Sequence, residues 1–326
     1  MYLKNRSIKR LSILALSAGV LLSVNAEALF GAEKADAQPE EGAPVAQELS
    51  ISTYRGIPYE AQLLGSDAEG DDLTFAVVDE PRKGTVEIDG ANFTYTPEEN
   101  ATGADRFTYA VTDSAGHVSQ PATVSVTIEK TKSGVTYSDT AGSAAAAAAQ
   151  DLAEQGIFVG ARIGDQYYFE PERTVSRSEF VAMALETAGR DVTAVTMTGF
   201  CDDAAIPTWA KGSVSAALKA GTIQGSKDES GAPVFGADTP ITRAEATVML
   251  NNLLDVTDVP VEVFSSDSQG HWASQAAANL ASSGVIRMES TGAAALSNQL
   301  TRAEAAEMLD GAMDVLADRE DGWLPW

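Results

Sequence analysis

The sequence predicts a protein of two parts, an all-β sandwich followed by an all-helical region. Between residues 49 and 130, short runs of alternating polar and apolar residues are separated by turn signals such as Asp89-Gly90. After a short connector, the Ala-rich run from Ala144 to Ala153 has high helix propensity and little strand propensity. The chain has 326 residues, which exceeds one average domain and leaves room for both parts.

The N-terminus predicts an export signal over residues 1–28. An uncharged, mostly apolar run from Leu11 to Val24 follows four basic residues and precedes a small-x-small cleavage sequence at 26–28. This run is shorter than the about 20 apolar residues that a membrane-spanning helix needs. We therefore expect secretion, with no membrane span after cleavage. Residues 29–48 are rich in Ala, Glu, Pro and Gln without apolar periodicity, which predicts a flexible linker.

The composition excludes several classes of partner and site. The formal net charge is −25 at pH 7, so the surface repels polyanions and we expect no nucleic-acid partner. Cys201 is the single cysteine, which rules out an intrachain disulfide. The two histidines, His117 and His271, are too few for a His-rich zinc site. An anion must therefore be held by a local cluster of positive groups.

The segment 49–130 predicts a small antiparallel sandwich of about seven strands. Its strand candidates are 73–78, 85–88, 93–96, 106–111 and 123–128. The segment also resembles the bacterial Ig-like and cadherin-like surface modules, through the motifs 65–75, Pro81-Arg-Lys-Gly84, Tyr95-Thr-Pro97, 103–107 and Val111-Thr-Asp113. Such modules serve as spacers, adhesive units and enzyme accessories, so the resemblance specifies the fold rather than the function.

A Ser/Thr-Arg-x-Glu motif recurs three times in the helical region, at intervals of about 60 residues, and marks an internal repeat. Its copies are Ser176-Arg177-Ser178-Glu179, Thr242-Arg243-Ala244-Glu245 and Thr301-Arg302-Ala303-Glu304. Each copy of the repeat begins with an aromatic residue and an Asp. A first helix then ends at Gly156, Gly221 or Gly284, which suit a left-handed C-terminal cap.

The motif combines helix capping with an arginine that capping does not explain. Ser or Thr followed three residues later by Glu is a capping box, in which both side chains satisfy free backbone donors. The arginine falls at the first helical position, where the helix dipole disfavours a cation by roughly 0.3–1 kcal/mol. Two interpretations remain open and are compatible. The arginine binds a carboxylate or phosphate beside free helix N–H groups, or it forms an internal Arg–Asp bridge.

Residues 137–316 resemble three tandem S-layer homology modules, most closely over Phe200…Trp209…Gly221…Phe235…Ile241-Thr-Arg-Ala-Glu245. The resemblance implies a helical trimer within one chain, with grooves that hold secondary cell-wall polysaccharide, often carrying an acidic pyruvyl ketal. It implies three anion-binding residues, Arg177, Arg243 and Arg302. It also implies two aromatic positions, Trp209 and Trp272. These are either sugar-facing or, as is more common for Trp at helical spacing, part of the core.

The three copies are not equally intact. The first has Ala144 at the Trp position, and the third has Met288 and Leu296 where the others have Gly and Phe. The second copy is therefore expected to be the best binding unit. We expect a linker at 131–136, copies at 137–190, 191–256 and 257–317, and a C-terminal tail at 318–326.

An acidic loop in the sandwich is a candidate calcium site. Asp67, Glu69 and Asp71 surround a Gly, and Asp113 lies in a second turn. Calcium prefers several hard oxygen ligands from flexible loops. Acidic turns are also common on soluble β-domains, so ordinary turn chemistry is the alternative.

Together these patterns predict an exported, non-catalytic bacterial surface protein, located at the cell wall or S-layer. It is expected to be anchored to acidic wall polysaccharide while displaying the Ig-like module to other surface proteins, and to require no cofactor. One alternative is a lattice-forming structural protein, and another is a calcium-dependent adhesin. An enzyme with a wall anchor is disfavoured because the chain lacks a nucleophile elbow, HExxH, P-loop or dinucleotide fingerprint.

Overall fold

The structure is a computed structural model that describes residues 42–261 and 270–320. The predicted signal peptide, most of the predicted linker, the Phe264–Asp267 opening of the third copy and residues 321–326 of the tail lie outside the described residues. Within the described part, the longer strands precede residue 130 and the seven α-helices follow residue 145. The predicted order of a β domain and a helical region is confirmed.

The N-terminal domain is a sandwich of two sheets. Its strands are β1 (Val45–Ala46), β2 (Leu49–Tyr54), β3 (Tyr59–Gln62), β4 (Gly65–Ser66), β5 (Thr74–Asp79), β6 (Gly84–Asp89), β7 (Asn92–Pro97), β8 (Gly103–Thr112) and β9 (Ala122–Glu129). One sheet has the order β2-β9-β8-β5 and the other the order β3-β7-β6. Strands β2 and β9 pair in parallel, whereas β8 pairs antiparallel with both β9 and β5.

Alternating burial along the strands places an aromatic core between the two sheets. Phe93 and Phe107 meet edge to face with ring centroids 5.5 Å apart, and Tyr95 and Tyr109 are fully buried. The Asp89-Gly90 turn joins β6 to β7 as predicted, with Asp89 paired to Asn92 and Gly90 at a φ of +60°.

The sandwich begins earlier than the sequence predicts. Strand β1 pairs with β4, and the Gln47 amide donates to the Leu64 carbonyl at 3.0 Å. The Tyr109 hydroxyl lies 2.6 Å from the Gln47 carbonyl and 2.7 Å from the Leu64 carbonyl. The prediction of a flexible linker up to residue 48 is therefore wrong at its C-terminal end. A two-residue strand has no periodicity to detect, and tertiary contacts hold it.

The helical region contains three helix pairs. Its helices are α1 (Ala146–Glu154), α2 (Arg177–Thr187), α3 (Thr208–Lys219), α4 (Arg243–Leu254), α5 (Ser274–Ser282), α6 (Ala293–Leu296) and α7 (Arg302–Glu320). In the first two copies a short hairpin separates the paired helices, formed by β10 (Ala161–Ile163) with β11 (Gln166–Tyr168) and by β12 (Ser226–Lys227) with β13 (Pro233–Val234). In the third copy, a 3-10 turn at Met288–Ser290 and helix α6 occupy this place.

The first helix of each copy ends at the expected glycine. Gly156, Gly221 and Gly284 have φ values of +72°, +73° and +76°. The residue after each glycine donates its amide back to a carbonyl of the last helical turn, for example Ile157 to Leu152 at 2.9 Å. This is the left-handed helix end that glycine favours because it lacks a Cβ.

A closed ring of three backbone hydrogen bonds joins the copies. The Val175 amide donates to the Leu300 carbonyl at 3.0 Å, Ile241 donates to Val175 at 2.9 Å, and Leu300 donates to Ile241 at 2.9 Å. Each of these residues immediately precedes a Ser/Thr-Arg-x-Glu motif. The ring therefore brings the starts of α2, α4 and α7 together around one centre.

Helix α1 is covered on two sides, by α7 and by strand β2 of the sandwich. The Tyr54 hydroxyl donates to a carboxylate oxygen of Asp151 at 2.7 Å, and both side chains are buried. Residues 146–153 are all buried, and five of the nine residues of this helix are Ala. Small side chains allow both neighbours to approach the helix closely.

Candidate functional site

The capping boxes predicted at the three helix starts are present. The Ser176 amide donates to a Glu179 carboxylate oxygen at 2.9 Å, and the Glu179 amide donates back to the Ser176 hydroxyl at 3.2 Å. Thr242 with Glu245 and Thr301 with Glu304 make the same reciprocal bonds. Capping accounts for the Ser/Thr and Glu of the motif and leaves the arginine for a separate explanation.

Each motif arginine extends from its own copy to the next copy around the ring. Nη1 of Arg177 lies 2.7 Å from Oε1 of Glu245, and Arg243 pairs with Glu304. Nη1 of Arg302 lies 3.0 Å from Oε2 of Glu170 and also donates to the Phe169 carbonyl. We call these three contact regions the Arg177, Arg243 and Arg302 junctions.

The internal bridges use Glu rather than the predicted Asp. The Asp residues of the first two opening motifs bind backbone amides instead. Asp139 accepts from the amides of Phe169 and Glu170 at 2.8 and 2.7 Å. Asp202 accepts from the amides of Phe235 and Gly236 at 2.9 and 2.8 Å. These two carboxylates therefore fix the loops that face Arg302 and Arg177, and the predicted Arg–Asp bridge is wrong in its partner.

The motif arginines are largely withdrawn from solvent, with side chains that are 11%, 12% and 7% exposed for Arg177, Arg243 and Arg302. Nε of Arg177 donates to the Phe235 carbonyl at 2.8 Å, and its guanidinium lies 5.3 Å from the Phe235 ring centroid. The guanidinium of Arg302 lies 4.8 Å from the ring centroid of Phe158. Burial, and then the charge of Arg173, lower the pKa of Arg302.

The Arg243 junction leaves one donor unused. Nε of Arg243 is buried and has no hydrogen-bond partner among the described residues. The loop of the third copy that faces it is short, with Leu296 only four positions before Leu300. The corresponding loop of the second copy is longer and brings the Phe235 carbonyl to Arg177. Among the described residues, the shorter loop of the third copy thus offers Nε of Arg243 no carbonyl equivalent to that of Phe235.

The two tryptophans lie on the surface. Trp209 is 60% exposed near the start of α3, and Trp272 is 64% exposed just before α5. The Trp272 ring stacks on His271 with centroids 5.7 Å apart. The interpretation of these residues as core is therefore wrong. At the corresponding position, the first copy has Ala144 next to the helix that contacts the sandwich.

The acidic loop of the sandwich shows ordinary turn chemistry. Oδ1 of Asp67 accepts from the amides of Glu69 and Asp71 at 2.9 and 3.1 Å, while Oδ2 is buried and has no partner among the residues that the structure describes. Asp113 contacts His117 through the ring nitrogen and the amide, both at 2.8 Å. Within residues 42–261 and 270–320, no group of three His, Cys, Asp or Glu residues is arranged to hold a metal ion. Calcium binding at Asp67, Glu69, Asp71 and Asp113 stays a prediction.

Sequence reasoning missed the loop residues that face the arginines. Glu170 and Arg173 both take part in the Arg302 junction, where Arg173 lies 2.9 Å from Glu179. Aligning Phe169-Glu170 with Phe235-Gly236 would have shown an acid in the place of a glycine. That mismatch is a visible signal, although its contact with Arg302 requires the structure.

Comparison with known families agrees with this architecture. The family model for the bacterial Ig domain matches residues 41–128, and that for the S-layer homology domain matches residues 200–247. In the part of the chain that the structure describes, no helix is both long and apolar enough to cross a membrane.

Curated relatives share only part of their length with this chain. An amylopullulanase from Thermoanaerobacterium thermosulfurigenes is 29% identical over 153 residues, which cover 45% of this chain and 8% of the relative. Exoglucanase XynX from Acetivibrio thermocellus is 30% identical over 190 residues, which cover 56% of this chain and 17% of the relative. The chain thus spans less than a fifth of either relative.

Among solved structures, an endo-fucoidan hydrolase of glycoside hydrolase family 107 is 23% identical, over 29% of this chain and 15% of its own. Its TM-score of 0.24 is too low to support an argument. The family matches carry the assignment. The chain contains a bacterial Ig domain followed by an S-layer homology domain, a domain that indicates association with the bacterial cell surface or cell wall.

Proposed function

We propose that this chain is a non-catalytic surface protein that is secreted and held at the bacterial cell wall by acidic polysaccharide bound at the junctions. All three helix pairs would act as S-layer homology repeats, and the Ig domain would be displayed to other surface proteins. The S-layer homology match at 200–247 supports wall attachment, and the ring of hydrogen bonds supports three equivalent copies.

The orphaned Nε–H of Arg243 is the observation that carries this proposal. A buried donor without a partner costs about 1–3 kcal/mol, and an acceptor that reaches it recovers that cost. The guanidinium has five N–H donors in a planar fork, and Glu304 contacts Nη2. A ligand carboxylate that reaches Nε would add a charge-assisted hydrogen bond to the one that Glu304 makes with Nη2.

Two features favour a sugar acid over a free anion at this site. The exposed rings of Trp209 and Trp272 provide flat apolar surfaces with a polar edge, which suit contact with a sugar face. The net charge of −25 repels a polyanion at long range, so a polysaccharide with widely spaced acidic groups fits better than a dense one.

Binding to purified wall polysaccharide tests the proposal. We expect Arg243→Ala to weaken the binding of the full chain at least tenfold, which corresponds to about 1.4 kcal/mol. Arg243→Lys should recover little, because a point charge does not replace the planar fork. Arg106→Ala is the matched control, since it removes the same charge from an exposed site on the sandwich.

Chemical removal of the acidic substituents from the polysaccharide should abolish the difference between the parent and Arg243→Ala. Equal binding of the two proteins to the intact polysaccharide, with both folded by circular dichroism, would overturn the receptor role of Arg243. Release of reducing sugar from an α-glucan or from cellulose by the purified chain would contradict a non-catalytic function.

A further inference from the structure

The loops at the three junctions differ at the position directly after a buried residue, which is Phe169, Phe235 or Leu296. The second copy has Gly236 there, beside Arg177, and the third has Ser297, in the loop facing Arg243. The first copy has Glu170, which faces Arg302. An acid therefore stands at one junction in the place that a glycine takes at another.

The backbone of the two longer loops is the same. Asp139 holds the amides of Phe169 and Glu170 as Asp202 holds those of Phe235 and Gly236. The Glu170 carbonyl accepts from the Arg173 amide at 3.0 Å, and the Gly236 carbonyl accepts from the Thr239 amide at 3.1 Å. Both loops consequently require the left-handed region at this position, with φ of +56° at Glu170 and +70° at Gly236.

Glutamate is an unusual residue for this conformation. Among the described residues, Glu170 and Asp255 are the two non-glycine residues with positive φ. A side chain with a Cβ adopts this region rarely, and glycine adopts it freely. The backbone conformation therefore disfavours Glu at position 170, whereas the contact of the Glu170 side chain with Arg302 favours it.

The Glu170 side chain covers the buried arginine of its junction. Its side chain is 49% exposed, and its carboxylate lies 3.0 Å from Arg302, whose side chain is 7% exposed. At the Arg177 junction a Cβ built on Gly236 would lie 4.0 Å from Cδ of Arg177. The same Cβ would lie 3.1 Å from the Thr239 hydroxyl, so a side chain at this position lies between Thr239 and the arginine, and Gly236 places no side chain there.

The capping-box glutamates confirm that the Arg302 junction has a different charge arrangement. Glu245 and Glu304 pair with the arginine of the preceding copy. Glu179, the equivalent residue for Arg302, pairs with Arg173 at 2.9 Å instead. Arg302 thus receives its carboxylate from Glu170, on the exposed side of the junction.

We propose that Glu170 is a built-in acidic occupant that closes the Arg302 junction to acidic sugar groups. Glu245 and Glu304 also pair with an arginine, but each is held in its own capping box and is less exposed, at 32% and 30%, than Glu170 at 49%. A ligand carboxylate that approaches Arg302 from solvent therefore meets Glu170 first, and it must displace Glu170 or lie beside a like charge. The chain would therefore bind its anionic polysaccharide through the Arg177 and Arg243 junctions. This inference rests on the proposed function and specifies which junctions take part.

The test uses the full chain and a defined probe, the methyl glycoside of a hexose carrying a pyruvyl ketal on O4 and O6. Calorimetric titration gives the number of sites per chain. Glu170→Gly should bind one more equivalent than the parent, because it removes the acid and suits the left-handed backbone. Adding Arg302→Ala to this variant should remove the extra site.

Two further variants separate charge from shape. Glu170→Gln keeps the side chain but removes its charge, and it should also add a site, with weaker affinity than Glu170→Gly. Gly236→Glu should remove one site from the parent by closing the Arg177 junction. Melting temperatures within a few degrees of the parent would show that each variant is folded.

The outcomes distinguish this inference from the proposed function. If the parent binds the probe and Glu170→Gly binds the same number of equivalents, the closing role of Glu170 is overturned and the proposed function stands. If neither the parent nor any variant binds, both are overturned. An additional site in Glu170→Gly that is lost with Arg302→Ala supports the inference.

Discussion

The sandwich and the helical region are held together by different kinds of core. The sandwich is filled by large aromatic side chains, among them Phe93, Tyr95, Phe107 and Tyr109, which meet between two sheets. The helical core contains many alanines, including Ala210, Ala246 and Ala277. Small residues let helix backbones approach closely.

The two regions also differ in where they place charges that are partly or fully buried. In the sandwich, Asp105 accepts from the Tyr95 hydroxyl and from the amides of Arg82 and Lys83, so its contacts stay within one fold. In the helical region, the arginines bridge between copies. Because the three copies pack closely, each motif arginine lies at a boundary between two copies. At this boundary a ligand can compete with the glutamate that pairs with the arginine.

The largest expected effect is the loss of an aromatic side chain from the sandwich. Phe107→Ala should lower the free energy of unfolding of this domain by about 3–5 kcal/mol, because the ring is fully buried and a cavity remains. Scanning calorimetry should show a transition that moves to lower temperature.

Polysaccharide binding provides the control for Phe107→Ala. The junctions lie in the other region, so the variant should bind like the parent at temperatures where its sandwich is folded. A parallel loss of binding would show that the aromatic core of the sandwich also supports the junctions.

A smaller effect on stability is expected when the pH around the helical region is lowered. Asp203 receives hydrogen bonds from Lys211 and then from the Thr198 amide and hydroxyl, which lower its pKa to about 2. Because this pKa is below the ordinary value of 3.8, the stabilisation is complete above pH 3.8 and is lost as the pH falls toward 2.

Melting temperatures measured between pH 5 and pH 2 check this sign. Asp203→Asn should lower the melting temperature at pH 5 and reduce its dependence on pH in the acid range. Asp238→Asn is the matched control because Asp238 is exposed. If Asp203→Asn and the parent lose stability in parallel toward pH 2, the ion pair with Lys211 does not stabilise the fold.

The sequence predicts those parts of the molecule that local rules determine. Alternation specifies β5 to β9, and the Ser/Thr-x-x-Glu spacing specifies the starts of α2, α4 and α7. The partner of each arginine depends on which copy packs beside it, and three similar copies offer several acids at similar sequence distances. The position of Arg243 was therefore predictable, whereas its contact with Glu304 was not.

Two other features of the structure could not be predicted from the sequence, for the same reason. The exposure of Trp209 depends on how α3 faces its neighbours, and its spacing alone suggested the core. The left-handed backbone at Glu170 is imposed by Asp139, which lies about 30 residues earlier in the chain and acts through two backbone amides. A local pattern contains no information about such a contact.

The smallest expected effect concerns one core position that differs among the copies. Thr247 in α4 is fully buried, and its hydroxyl has no hydrogen-bond partner among the described residues. The corresponding residues are Val181 in α2 and Ala306 in α7, both buried. A buried hydroxyl without a partner is costly, so Thr247→Val should stabilise the helical region by about 1 kcal/mol.

Urea unfolding of the full chain, followed at the helical transition, measures this change as a shift in midpoint at constant slope. The reciprocal variant Val181→Thr should destabilise the same region by about 1–2 kcal/mol, since it places a hydroxyl in an apolar site. Opposite signs for the two variants would show that the alanine-rich core tolerates shape changes but not unpaired polar atoms. A loss of stability in Thr247→Val would mean that its hydroxyl has an acceptor, and that position 247 belongs to the polar boundary rather than to the core.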